Sequence, residues 1–480
     1  MTGERHLVAR QVLELHVSPL TDAPALSDAV SALHARELAA VVERCLDEVC
    51  PPGARVRLDT VHVDLGSIDG AALATELPRL LEERLRTALS SALRRGRLDA
   101  TPVGGRHGDL EAVDMFARLG VLPWWADHTE PSAVADAFAR GVHADPHAVG
   151  LLLRRLPRPA RRRLVTAVAE ADLERLVAAV APALAPTLCA DVALLQALLA
   201  AAGAATGDVG RSAWQGLLEG VLHAPETVQQ LWAATLAGAA MAAGLATWQV
   251  ATAVERVAPA LRGAARGLAP VVAAPAFPSL EPAQIVVAPV LQAPVVARDL
   301  NGHLPRLDGL PEGGVAVSNA GLVLLSPFLV RFLDRLGLLD DRRTFRDERC
   351  RSRAMALLGH LATGRDPVEH HLPLVKVLCG AEPAALFEPG PPVTPEEADE
   401  ARLLLAAPSA HAQALGELSV EALRAAFLQR DGVLSESYDA WMLRVRPDAV
   451  DIMLDQLPWS FGWTRLPWMP VPLTVEWDGL

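Results

Sequence analysis

Eight prolines stand among valines and alanines between Pro270 and Pro311, at Pro270, Pro275, Pro278, Pro282, Pro289, Pro294, Pro305 and Pro311. Proline lacks an amide hydrogen, holds its own φ at about −65° and pushes the preceding residue out of the helical region. No helix tolerates that spacing, and an interior strand needs the donors that proline lacks. Residues 269–314 therefore read as an extended, polyproline-like linker. It divides a chain of 480 residues, more than one ordinary core holds.

Upstream, residues 1–100 read as a strand–helix–strand–helix module. Leu7–Val17 alternates in its second half, and Leu26–Val49 is helical in period, with Ser27 or Asp28 as a cap. Val56–Gly66 alternates strictly, and Ala71–Arg95 is amphipathic. Residues 101–131 form a connector around Met115, Phe116, Leu119 and the pair Trp124-Trp125. From 132 to 268 Ala and Leu dominate, both strong helix formers, and prolines recur where helices can start. A succession of short helices is expected there, without a strict repeat.

Downstream, residues 315–480 read as a helical and α+β domain. Helices are expected at Pro327–Leu336, Glu348–Thr363, Leu372–Cys379, Pro395–Ala406, Ser419–Leu428 and Ala449–Leu457, and strands at Trp441–Val445, Thr464–Trp468 and Leu473–Trp477. The fold class that follows is mainly α with small α+β modules at both ends.

Tryptophan is placed unevenly. The chain is 4% aromatic, yet five of its ten tryptophans lie in 441–480. Leu-Pro-Trp occurs at Leu457-Pro458-Trp459 and Leu466-Pro467-Trp468, and once upstream at Leu122-Pro123-Trp124. A large apolar ring beside a fixed backbone makes a rigid knob for a pocket, in the chain's own core or in a partner. Some of these rings must fill the module's own core. Trp124, Trp125, Trp459, Trp463, Trp468, Met469 and Trp477 are the candidate docking residues, foremost those flanking Pro467 and Pro470.

Catalytic and metal chemistry find little support. Glu369-His370-His371, with His360 before it, has no further ligand at metal spacing and reads as solvated surface. Gly309–Gly314 is a Gly-rich turn without the GK[ST] of a phosphate loop. Glu396-Glu397 and Asp340-Asp341 sit beside expected helix starts, where they favour the helix dipole. Five cysteines without a CxxC pair indicate neither a disulfide framework nor a zinc site. No cofactor is expected. The net charge of −13 gives no footprint for nucleic acid. Nearly all positive charge is arginine, and Lys376 is the single lysine. Met1–Pro19 lacks the order of a secretory signal.

Thr227–Val254 carries no charge, and Trp232 and Trp248 would lie about 24 Å apart on one continuous helix, as aromatic belts do. Gly238 with Ala242, and Ala240 with Gly244, give small-residue spacing. The low density of Leu, Ile, Val and Phe favours a buried or inter-chain helix over membrane contact.

Several blocks occur together and in order. They are Gly120-Val121-Leu122-Pro123-Trp124-Trp125, Asn319-Ala320-Gly321 through Leu329, Leu336-Gly337-Leu338-Leu339, Arg353 through Gly364, Leu378-Cys379-Gly380, Leu423 through Gly432, and Leu454 through Trp477. With these blocks the chain resembles the tape measure protein family of bacterial contractile injection systems, the phage-tail-like devices. The resemblance covers about the first 130 residues and the last 160, and the Ala/Pro-rich middle matches only in being variable. It implies a non-enzymatic structural role in the inner tube lumen, setting tube length. It also implies partners at the baseplate, spike hub and tube terminator, self-association in the lumen, and residence in the cytoplasm during assembly and then in the particle. A continuous helix over the middle would span on the order of 210 Å. A membrane-active or ejected lumen component using 227–254, and a baseplate or scaffold interaction protein, are the alternatives.

Overall fold

The computed structural model describes residues 23–49, 61–95, 106–205, 207, 209–222, 227–266, 314–411, 418–437 and 439–477, together with Val8, Gln11, Leu13 and Glu14. The Pro-rich stretch, apart from Gly314, lies outside the described residues, as do most of Leu7–Val17 and residues 56–60. The described chain is mainly α, with one small sheet near its C-terminal end. Its buried apolar side chains gather in three separate clusters.

The first cluster lies between α1 (Ala23–Leu33), α2 (Ala39–Val49) and α3 (Leu73–Arg95). Leu77, Leu81, Leu85 and Leu89 recur every four residues and put one stripe of α3 against Val30, Leu33, Leu38, Val41 and Cys45. Between the helices, Val61, Val63 and Leu65 lean on this cluster while His62, Asp64 and Gly66 face outward. The expected period-two burial is present, but residues 61–66 enter no ladder among the described residues. Period sets which side chains turn inward; a strand also needs a neighbour to bond.

The second cluster is built by ten helices: α4 (Arg106–Leu119), α5 (Ala133–Ala144), α6 (Pro146–Arg155), α7 (Arg158–Ala167), α8 (Glu170–Val180), α9 (Leu188–Ala201), α10 (Val209–Leu222), α11 (Val228–Ala242), α12 (Thr247–Val257) and α13 (Arg262–Arg266). Prolines open several of them. Pro146 begins α6 behind Asp145, whose side chain accepts the Ala148 amide at 3.0 Å. Thr227 and Gln230 form a capping box at the start of α11. These helices pack around one core, so the middle is a folded body in this structure and not a continuous rod.

The uncharged stretch 227–254 is correspondingly broken. α11 ends before Gly244, whose φ of 67° lies in the left-handed region, and α12 starts afresh at Thr247. Trp232 is buried in the core and Trp248 is 64% exposed on a different helix, so they do not bracket one span. No described helix is long and apolar enough to cross a membrane. The small residues serve the α10–α11 contact. A Cβ on Gly216 would stand 2.5 Å from the Ala239 Cβ, and one on Gly220 would stand 2.0 Å from Thr235 Oγ1. Two backbones approach this closely only where side chains are absent.

The third cluster joins the sheet to α14 (Ser326–Arg335), α15 (Glu348–Thr363), α16 (Pro373–Leu378), α17 (Pro395–His411) and α18 (Val420–Leu423). The strands are β1 (Val315–Val317), β2 (Gly432–Ser437), β3 (Ala440–Val445), β4 (Trp463–Thr464) and β5 (Leu473–Trp477), in the order β1-β2-β3-β5-β4. β3 and β5 run parallel, with Trp441 opposite Leu473 and Val445 opposite Trp477; the other pairs are antiparallel. β2 carries no alternating apolar pattern in sequence, since only Leu434 of its six residues is buried. The expected strand Thr464–Trp468 stops at Thr464. Pro467 has no donor for a ladder, and the Met469 amide instead donates to the Leu466 carbonyl at 2.9 Å, closing a turn. The expected helix Ala449–Leu457 tightens to a 3-10 helix, Ala449–Gln456.

Candidate functional site

Three indoles of the C-terminal unit, those of Trp459, Trp468 and Trp477, spend their N–H groups within it. Trp459 donates to the Leu324 carbonyl at 3.1 Å and meets Phe328 edge to face. Trp468 donates to the Leu378 carbonyl at 2.8 Å and leans on Phe345. Trp477 donates to Asp451 Oδ2 at 3.0 Å, under the Arg430 guanidinium. Arg430 and Asp451 are both buried and pair through two bonds, of 2.5 and 3.0 Å. Burial alone raises the Asp451 carboxyl, but Arg430, the Asp448 amide and Trp477 outweigh it and hold the group below the usual carboxylate range. Met469 is buried, and its sulfur accepts the Leu466 amide. Trp463, on the edge strand β4, is 58% exposed. Trp124 and Trp125 are half-buried in the connector, and the Trp125 ring covers Gly108. The candidate residues thus do not converge on one patch, and Trp463 is the one among them presented mainly to solvent.

A second constellation lies where the second and third clusters meet. Arg163 reaches out of α7 and is buried. Its Nε donates to Glu369 Oε1 at 2.9 Å, and its two terminal nitrogens donate at 2.7 Å to the carbonyls of Ala117 and Ala384. Lys376, on α16 and 0% exposed, donates to the same Glu369 oxygen at 2.8 Å and to the Pro383 carbonyl at 3.1 Å. The Phe387 amide adds a third donor to Glu369 Oε1 at 3.1 Å. Desolvation pulls the Lys376 ammonium below its ordinary range, against the attraction of Glu369. Gly120 completes the cluster. Its φ is +72°, and a Cβ there would stand 2.9 Å from Glu369 Oε1 and 3.0 Å from Lys376 Nζ.

Beside it, the turn Glu369–His371 packs on the connector. His370 is buried, its Nε2 lies 3.1 Å from the Glu130 carbonyl, and its ring meets Phe116 of α4 and His371. This overturns the reading of Glu369-His370-His371 as solvated surface: Glu369 and His370 are buried and His371 is half-buried. Burial, then the neighbouring His371, push the His370 ring down to about 3, and burial lowers His371 as well. Of the paired carboxylates, Glu396 and Glu397 do open α17, with Glu397 bonded to Thr394 and Arg353. Asp340 organises a turn instead, accepting the amides of Arg342 and Thr344.

A family model described as contractile injection system tape measure protein matches residues 5–477. The chain belongs to this family. Among curated proteins and among solved structures nothing matches it. The family is a structural one, and the blocks that carry the likeness touch one another in the fold. Asn319–Leu329 meets Leu423–Gly432 through the Ala320 amide on the Arg430 carbonyl, at 2.9 Å. It meets Leu457-Pro458-Trp459 through the Trp459 indole, while Leu378-Cys379-Gly380 meets Leu466-Pro467-Trp468 through the Trp468 indole. Arg163 was not singled out from the sequence, and Glu369 and Lys376 were noted there without being read as partners. One signal was there: a chain that uses arginine everywhere else keeps one lysine, and a compact ammonium fits a closed site that a planar guanidinium does not.

Proposed function

We propose that the chain lies in the lumen of the growing inner tube and sets its final length. One end attaches to the baseplate and spike hub, and the other meets the tube terminator. The observation that carries this reading is the family match, which runs through both ends and the middle over 5–477. Trp463, exposed on an edge strand, is the best placed of the tryptophans to dock on a neighbour, with the half-buried Trp124 and Trp125 next. Copies associate with one another in the lumen, and the protein is carried in the particle.

A second reading, a plug or assembly scaffold between baseplate and lumen, is favoured by the packing of 132–266 around one core, because a folded body spans far less than a rod. Tube length separates the two. Duplicating forty residues within 132–268 lengthens the tube by about 60 Å if the added segment is helical, or about 130 Å if extended. Particles whose tube length stays constant, measured by electron microscopy, overturn the ruler and leave the scaffold.

A further inference from the structure

The second and third cores stay apolar and separate, and they meet across a polar seam. One half of the seam is ionic, with Arg163 and Lys376 sharing the single carboxylate of Glu369. The other half is histidine, with His370 and His371 pressed against Phe116, His128 and Glu130 of the helical side. We propose that this seam is an acid-released latch, in which protonation of the histidines parts the helical body from the C-terminal body while each keeps its own core.

Burial explains the direction. His370 is buried and its Nε2 faces the Glu130 carbonyl, so a proton on the ring adds a charge that the closed seam solvates poorly, and a second proton on the adjoining His371 would repel it. The groups acting on the two rings are His128, Asp127 and Glu130 from the connector, while Glu369, next to His370 in the chain, is taken up by Arg163 of α7 and Lys376 of α16. The connector carboxylates Asp127 and Glu130 oppose the effect of burial in part. Asp127 accepts the amide and hydroxyl of Thr129, and Glu130 accepts the hydroxyl of Ser132.

The sign follows from linkage. A histidine whose folded-state proton affinity is depressed gives full stability above its unfolded value of about 6.5, and loses it as pH falls toward the folded value. With His370 titrating near 3 when closed, the opening equilibrium shifts about 25-fold between about pH 7 and pH 5 from that ring alone. His360, on α15 near Arg424 and Asp366, is also depressed but faces other groups and serves as the control. The proposal stands on the seam alone, whether or not the chain sets tube length.

Hydrogen exchange read by mass spectrometry tests it on the full chain at about pH 7 and pH 5, corrected for chemical exchange. Peptides over 123–131 and 366–371 are expected to lose protection about 25-fold at the lower pH, while 192–199 and 354–361 keep theirs. His370→Gln with His371→Gln, which keeps a donor for Glu130 without a titrating ring, reduces the response to about threefold or less, and His360→Gln does not. Simultaneous loss in seam and cores overturns the latch, as does a double variant that responds like the parent. The parent profile decides the matter even if the double variant fails to fold.

Discussion

At the scale of the residue, Gly120 shows how one position can be fixed twice. Its backbone is left-handed, which costs a residue with a Cβ about 1–2 kcal/mol, and the missing Cβ leaves room for Glu369 and Lys376. Gly120→Ala is expected to destabilise the protein by more than about 2 kcal/mol, read from the urea midpoint. Gly203→Ala supplies the reference, since Gly203 has φ of +98° with open space around it and bears only the backbone part. Equal losses in the two variants would show that the ionic cluster yields to a methyl group without cost. The sequence carried the tryptophans and the lone lysine in plain view, but not what they touch. Trp459 and Trp468 bond carbonyls 135 and 90 positions away, and no local pattern encodes such a pairing. His370 and His371 were misread for a related reason. Adjacent polar residues read as surface unless the fold brings a second element over them.

At the scale of the element, the α10–α11 contact turns a composition into a geometry. Gly216 and Gly220 are four apart and lie on one face of α10, against Thr235 and Ala239 of α11. Gly220→Ala places its methyl on the Thr235 hydroxyl, so a loss of about 2–3 kcal/mol is expected. Thr235→Ala alone is expected to be mild, because its buried hydroxyl has no hydrogen-bond partner among the described residues. The double variant then recovers about 1 kcal/mol or more, and a thermodynamic cycle with no coupling energy would remove the steric account. The leftover strain is the approach of the new methyl to the Leu231 carbonyl, 3.0 Å away. Helices were the most legible part of the chain, because amphipathic period, capping residues and prolines are all local. The small-residue spacing at Gly238 and Ala240 was legible too, and its partner was not. The same glycine-rich face serves a membrane bundle or a tight soluble pair, and the break at Gly244 decides for short helices. β2 escaped notice because a strand with one buried side chain has no period to read.

At the scale of the whole molecule, the question is how two cores with no shared apolar cluster are held together. The Pro-rich stretch reads from sequence as a boundary, and nothing in it tells whether the parts on either side meet. Arg163 and Glu369 are 206 positions apart, far beyond any periodicity. Because the seam rests on a shared carboxylate, its members are not equivalent. Arg163→Met withdraws one cation from the helical side and leaves Glu369 and Lys376 as a matched pair on the C-terminal side. Glu369→Gln leaves two buried cations facing each other, which is the costlier error at about 3–5 kcal/mol. Calorimetry of the full chain is therefore expected to show different outcomes for the two variants. Arg163→Met uncouples the bodies, so that one cooperative transition divides into two and the C-terminal one keeps its midpoint. Glu369→Gln lowers both, because the repulsion falls on Lys376 within the C-terminal core as well as on Arg163. If Arg163→Met leaves a single transition, the histidine half of the seam and the Arg162–Glu388 ion pair hold the bodies together without the Arg163 contact. The shared carboxylate then sets only how the two bodies face each other, not whether they stay joined.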